Sequence, residues 1–122
     1  MRLQNLHKIA TVSRSIKILN KEKHCNLNQT SLNILLTLTI LPADISTSKI
    51  NLLLKHWGKV LNHPDVLKYL DRFLKCKYVT KKIVAASHFN NPQFLWSITP
   101  EGLEILNQFE LIVRRTRHDL GH

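Results

Sequence analysis

The chain has 122 residues, 43% of them hydrophobic, which suits a single compact domain with a modest core. Lys and Arg number 18 against 8 Asp and Glu, giving a formal net charge of +10, so polyanions such as nucleic acid or an anionic membrane are the expected partners. Cys25 and Cys76 are the two cysteines, far apart and without Cys-x-x-Cys spacing, which argues for neither a disulfide scaffold nor a zinc site. Lys8, Arg14 and Lys17 break up any signal-peptide core, and no apolar run approaches the ~18 residues of a membrane span. A soluble, cytoplasmic chain with reduced thiols is expected.

Leu3, Leu6, Ile9, Ala10, Ile16 and Leu19 recur every three or four residues and predict a first helix over about 2–22. Asn26 or Asn28 can cap a second helix over about 28–41, whose lack of charge predicts a central, buried element ended by Pro42. Ser46 or Thr47 opens a third helix through Ile50, Leu52, Leu53, Leu54 and Trp57, closing near Gly58. Asn62-His63-Pro64-Asp65 reads as a cap, with proline in the first turn, where its missing N–H costs nothing. The fourth helix that follows should run to Lys75 or Cys76. From Tyr78 to Ser87 the pattern turns to β; His88–Pro92 is turn-like, and Phe94–Ile98 reads as a second strand. Thr99-Pro100-Glu101 caps a last helix over about 100–117, with Glu101 and Glu104 early and Arg114, Arg115 and Arg117 late, as the helix dipole favours. Three helices and a β-hairpin in this order predict a mainly α winged helix-turn-helix with extra helices at both ends. One domain over 1–122 is expected, with its core at 27–98 between an N-terminal helix (1–25) and a C-terminal one (99–122).

The charge is segmental. Arg2, Lys8, Arg14, Lys17, Lys21 and Lys23 face only Glu22, a second basic stretch covers 63–86, and residues 87–122 are nearly neutral. On the fourth helix, Val66, Leu67, Leu70, Phe73 and Leu74 project to one side. Lys68, Arg72, Lys75 and Asp65 project to the other, with Tyr69 and Asp71 on the flanks. Such a face is either a solvated surface, with Asp71 and Lys75 paired at i,i+4, or a polyanion contact. In a helix-turn-helix the second helix enters the major groove. Asn62, His63, Asp65, Lys68 and Tyr69 are then the candidates for base edges, and Arg72 for a guanine or a phosphate. Lys75, Lys77, Lys81 and Lys82 are the expected phosphate contacts. His88, Asn90 and Asn91 form the wing tip, as contacts to DNA or as an ordinary loop.

Leu27-Asn28-Gln29-x-x-Leu32-x-Ile34-Leu35 resembles the opening of the second helix in MarR-type regulators. Tyr69 to Val79 resembles that family's recognition-helix end. Trp96-Ser97-Ile98-Thr99-Pro100-Glu101-Gly102-Leu103-Glu104-Ile105-Leu106 is similar to its exit from the wing, a motif that PadR-type regulators share. PadR-type proteins usually lack a helix like 2–22, which ranks the MarR-like reading first. Two features depart from the pattern: Lys77 stands where the family has glycine, and the wing lacks an Asp-x-Arg signature. The resemblance implies a homodimeric regulator that binds double-stranded DNA, joined through helices at both chain ends. Leu3, Leu6, Ile9 and Ile16 at one end, and Ile105, Phe109, Ile112 and Val113 at the other, are the expected dimer contacts; the alternative is that both helices complete the core. The family also implies an aromatic effector beside the dimer helices, but no polar constellation here marks such a pocket.

Catalysis is not expected. The chain has no Gly-rich phosphate loop and no Gly-x-Ser-x-Gly, and its seven histidines show no metal spacing, so neither metal nor cofactor is predicted. The competing reading is a winged helix serving as a protein–protein adaptor or accessory factor, or one that binds RNA.

Overall fold

The computed structural model describes residues 3–41, 43–85 and 92–120. They form α1 (Leu3–Lys23), α2 (Gln29–Ile40), β1 (Ile45–Ser46), α3 (Thr47–His56), α4 (His63–Lys75), β2 (Val79–Ala85), β3 (Pro92–Ile98) and α5 (Pro100–Leu120). Every predicted helix is present within a residue or two, except that α5 runs three residues further. The hairpin strands are also present, and β1 is an addition. The chain divides into two compact units. One joins residues 1–32 to 104–122, and the other spans 33–103.

In the first unit, His24 ends α1 in the left-handed region (φ 53°), and the Cys25 N–H returns to the Asn20 carbonyl at 3.1 Å. The Asn20 side chain then holds the connector by both ends of its amide: Nδ2 donates to the Leu27 carbonyl, and Oδ1 accepts from the Leu27 N–H, each at 2.8 Å. Asn28, one of the two expected caps, starts α2. Its Oδ1 accepts from the Ser31 N–H at 2.8 Å, while Ser31 Oγ accepts from the Asn28 N–H at 2.7 Å, a reciprocal box that satisfies two helix-end donors. Thr11, Ser15 and Leu19 of α1 are buried, as are Ile105, Leu106, Ile112 and Thr116 of α5.

The second unit holds the rest of α2, which is buried on one face only. Ile34, Leu35, Thr37 and Leu38 are inside, whereas Leu36 and Ile40 are exposed, so α2 is less enclosed than its composition implies. The sheet has the order β1-β3-β2, with both pairings antiparallel. Two-residue β1 extends it by pairing Ile45 with Trp96 and Ser46 with Leu95. Fully buried Trp96 donates its indole N–H to Thr47 Oγ1 at 2.9 Å, which ties the central strand to the first residue of α3. An indole N–H enclosed without a partner costs about 1–3 kcal/mol, so this bond specifies the packing.

Two helices of this unit end in the same way. After α3, the Gly58 N–H meets the Lys55 carbonyl at 3.0 Å and the Lys59 N–H meets the Leu54 carbonyl at 2.9 Å, with Gly58 left-handed (φ 81°). After α4, the Lys77 N–H meets the Leu74 carbonyl at 3.1 Å and the Tyr78 N–H meets the Phe73 carbonyl at 2.8 Å, with Lys77 left-handed (φ 65°). Both are Schellman closures, and in the second the Phe73 and Tyr78 rings, 6.4 Å apart, make the accompanying apolar contact. Lys77 therefore takes the backbone conformation that a glycine would take at no steric cost, which explains the residue type expected there.

The exit from β3 is anchored to this same corner. Thr99 Oγ1 accepts from the Gly102 N–H at 3.0 Å, capping α5, and donates to the Lys77 carbonyl at 2.7 Å. The Thr99 N–H reaches the Tyr78 carbonyl at 3.0 Å. A β-carbon on Gly102 would collide with that carbonyl oxygen and with the Ile98 side chain. The Thr-x-x-Gly spacing of the motif thus serves a cap and a close backbone approach one helical turn apart.

Candidate nucleic-acid interface

α3 and α4 pack on each other, joined by residues 57–62, and the β2–β3 hairpin follows directly. Asn62 Oδ1 accepts from the Asp65 N–H at 2.9 Å, so the predicted cap is made and Pro64 sits in the first turn. Val66, Leu70 and Phe73 are buried. The expected apolar stripe is narrower than predicted, because Leu67 is half-buried and Leu74 is 38% exposed. His63, Lys68, Arg72 and Lys75 are exposed, and Asp65 and Tyr69 are half-buried. Leu61, Asp65, Lys68, Tyr69 and Arg72 line one shallow depression of about 200 Å³, so four of the predicted contact residues come together there. Among the described residues the Asp71–Lys75 pair is not made, and the ion pair found is Arg114 with Glu110 on α5, at 2.8 Å. Among the described residues, no carboxylate lies at ion-pair distance from the cations of α4.

The remaining predicted contacts scatter more. Asn62 spends its side-chain oxygen on the cap, which leaves its amide nitrogen for a ligand. Lys77 is exposed at the α4 corner. Lys81 and Lys82 are adjacent on β2, so they point to opposite faces of the ribbon. Lys81 shares its face with Trp96 and sets its ammonium 4.1 Å from the Phe94 ring centroid and 5.5 Å from that of Trp96. A cation–π contact at such a site contributes roughly 0.5–1 kcal/mol and competes with any phosphate. Lys82, opposite Leu95, faces the other way and is exposed. His88, Asn90 and Asn91 lie outside the described residues.

The expected dimer contacts also divide. Ile105 and Ile112 are 4% and 1% exposed, already covered by the chain itself, so they are core positions rather than surface for a partner. Ile16, Phe109 and Val113 are half-buried, and Leu111, which the sequence did not single out, is 46% exposed. The side chains of Leu3, Leu6 and Ile9 lie outside the described residues. No group of His, Cys, Asp or Glu among the described residues could hold a metal ion, and no described helix is long and apolar enough to cross a membrane.

No family model and no curated protein matches the sequence. Solved structures do match. A Staphylococcus aureus MepR mutant aligns with a TM-score of 0.67 at 12% identity, over 98% of this chain and 82% of its own. A MarR-family transcriptional regulator from Rhodococcus gives 0.65 at 12% identity, over 90% and 67%. A PadR-like transcription factor from Bacteroides fragilis gives 0.64 at 16% identity, over 75% and 87%. The chain has the winged-helix fold of MarR-type regulators. The two MarR-type alignments cover 98% and 90% of the chain, whereas the PadR-like one covers 75% of it.

Proposed function

We propose that this chain is a DNA-binding transcription regulator of the MarR type that acts as a homodimer on double-stranded DNA, with no catalytic role of its own. One observation carries the reading: Lys68, Arg72 and Lys75 stand exposed on α4, the second helix of the helix-turn-helix, directly opposite its buried face and free of carboxylate partners among the described residues. A major groove about 12 Å wide admits a helix presented this way. The cations on its outer side lose little by leaving water for phosphate, because no internal ion pair has to be broken first.

Base edges fall to His63, Asp65, Lys68 and Tyr69 in the first two turns, with Asn62 through its remaining amide. Asp65 suits the exocyclic amine of cytosine, and Arg72 suits guanine or a phosphate. Lys75, Lys77 and Lys82 supply backbone contacts, and with them the salt dependence. Lys81 contributes less, held over its aromatic rings. In a dimer, two copies of α4 would meet a pseudo-palindromic site in successive major grooves, about 34 Å apart. Ile16, Phe109, Val113 and Leu111 are the candidates among the described side chains to join them, beside Leu3, Leu6 and Ile9.

The test is a mobility shift with random duplex at about 50 mM salt, where phosphate contacts are strong, followed by selection of bound fragments from the source genome. Retarded duplex and an enriched inverted repeat are expected. No shift with any duplex at that salt ends the DNA reading, and a monomer by sedimentation at micromolar concentration ends the dimer.

A further inference from the structure

The outer face of α3 offers a different chemistry from that of α4. Ser48, Asn51, Leu52 and Lys55 fall on one side at i, i+3, i+4 and i+7, and Lys59, Val60 and Leu61 complete a groove of about 380 Å³ with them. Leu52 is 61% exposed and Val60 83%, so neither side chain belongs to the core. Single exposed aliphatic residues are ordinary on any protein surface. Here two of them converge with half-buried Leu61 on one concavity, rimmed by Lys55 and Lys59 and lined by no carboxylate.

We propose that this groove docks an acidic segment of a partner protein, which places a branched aliphatic side chain against Leu52, Val60 and Leu61 and its carboxylates against Lys55 and Lys59. Charge complementarity selects this occupant. A second copy of the chain, with net charge +10, meets two lysines and no acid here. Duplex DNA could satisfy the lysines, but it would cover Leu52 and Val60 with nothing apolar in return. An acidic, leucine-bearing segment satisfies both parts at once. The inference is independent of whether α4 binds DNA.

The probe is a labelled peptide of alternating leucine and glutamate, titrated onto the full chain by fluorescence anisotropy. Two control peptides are run beside it, one with serine for leucine and one with lysine for glutamate. The acidic leucine peptide is expected to bind at least about tenfold more tightly than either control, and Leu52→Ser with Val60→Ser to weaken it by a similar factor. Amide shifts should cluster over 48–61, and the double variant should keep wild-type affinity for duplex. Should that variant unfold by circular dichroism, Lys55→Glu with Lys59→Glu asks the same question from the rim. The proposal is overturned by failure of the peptide to bind, by unchanged binding to the variants, or by shifts centred on Lys68 and Arg72. Loss of duplex affinity in the Leu52, Val60 variant would reassign the groove to DNA.

Discussion

α3 and α4 bury their inner faces in the same manner, through Thr47, Ile50 and Leu54 in the first and Val66, Leu70 and Phe73 in the second. Each begins on a side-chain cap, Ser46 or Asn62, and each closes through a Schellman turn. They differ where neither packing nor capping dictates the residue. α3 turns Leu52 outward beside Lys55, and α4 turns out Lys68, Arg72 and Lys75. The turn after α3 has glycine at its left-handed position, and the turn after α4 has lysine. The shared features are those that folding requires, so the differences are where a functional requirement can be read.

Truncation of the inner face should have the largest effect, and the same effect on both helices. Leu70→Ala is expected to cost about 2–5 kcal/mol of stability, read from the urea midpoint, and Leu54→Ala a comparable amount. A much smaller loss at either site would mean that the two inner faces are not equivalent. Arg72→Ala on the outer face should leave the urea midpoint within about 0.5 kcal/mol while weakening duplex binding by about 1–3 kcal/mol. Lys55→Ala on α3 should change duplex affinity less than that, and an equal loss at both would erase the distinction between the faces.

The helix ends give smaller effects of opposite sign. Gly58→Ala should destabilise by about 1 kcal/mol, because the left-handed backbone penalises a β-carbon although nothing lies within 4 Å of it. Lys77→Gly should stabilise by about 0.5–1 kcal/mol, the relief of left-handed strain outweighing the extra freedom of the unfolded chain. If Lys77→Gly also weakens duplex binding and flattens its salt dependence, the lysine is kept for its charge at a conformational cost. Unchanged binding would remove Lys77 from the interface.

Much of this was legible in the sequence because the deciding interactions are local. The Asn62 cap, the Pro64 first turn, the Thr99 cap and the α4 periodicity each depend on residues within one or two turns of one another. The two-residue strand β1 was not legible, since so short a segment has no periodicity and exists only because Trp96 and Leu95 are there to pair with it. Lys81 and Lys82 look interchangeable in the chain. The pleat sends them to opposite faces, and the aromatic rings of Phe94 and Trp96 engage Lys81. Ile105 and Ile112 carried a helical pattern broad enough to suggest a partner, yet the chain covers them itself. Leu52 belongs to an apolar cluster in sequence but lies outside the core, because α3 directs Ile50 and Leu54 inward and leaves the intervening position on the far side.

By itself the sequence determined which segments are helices, where most of them start, and that one helix opposes a basic face to an apolar one. Those properties follow from side-chain period and from hydrogen bonds closed within a few residues. Only the tertiary structure decided that Gly102 must lack a β-carbon beside the Tyr78 carbonyl, and that Thr47 and Trp96 share one buried bond. Each of these depends on groups brought together across the fold, and the local pattern of the chain carries no trace of such an approach.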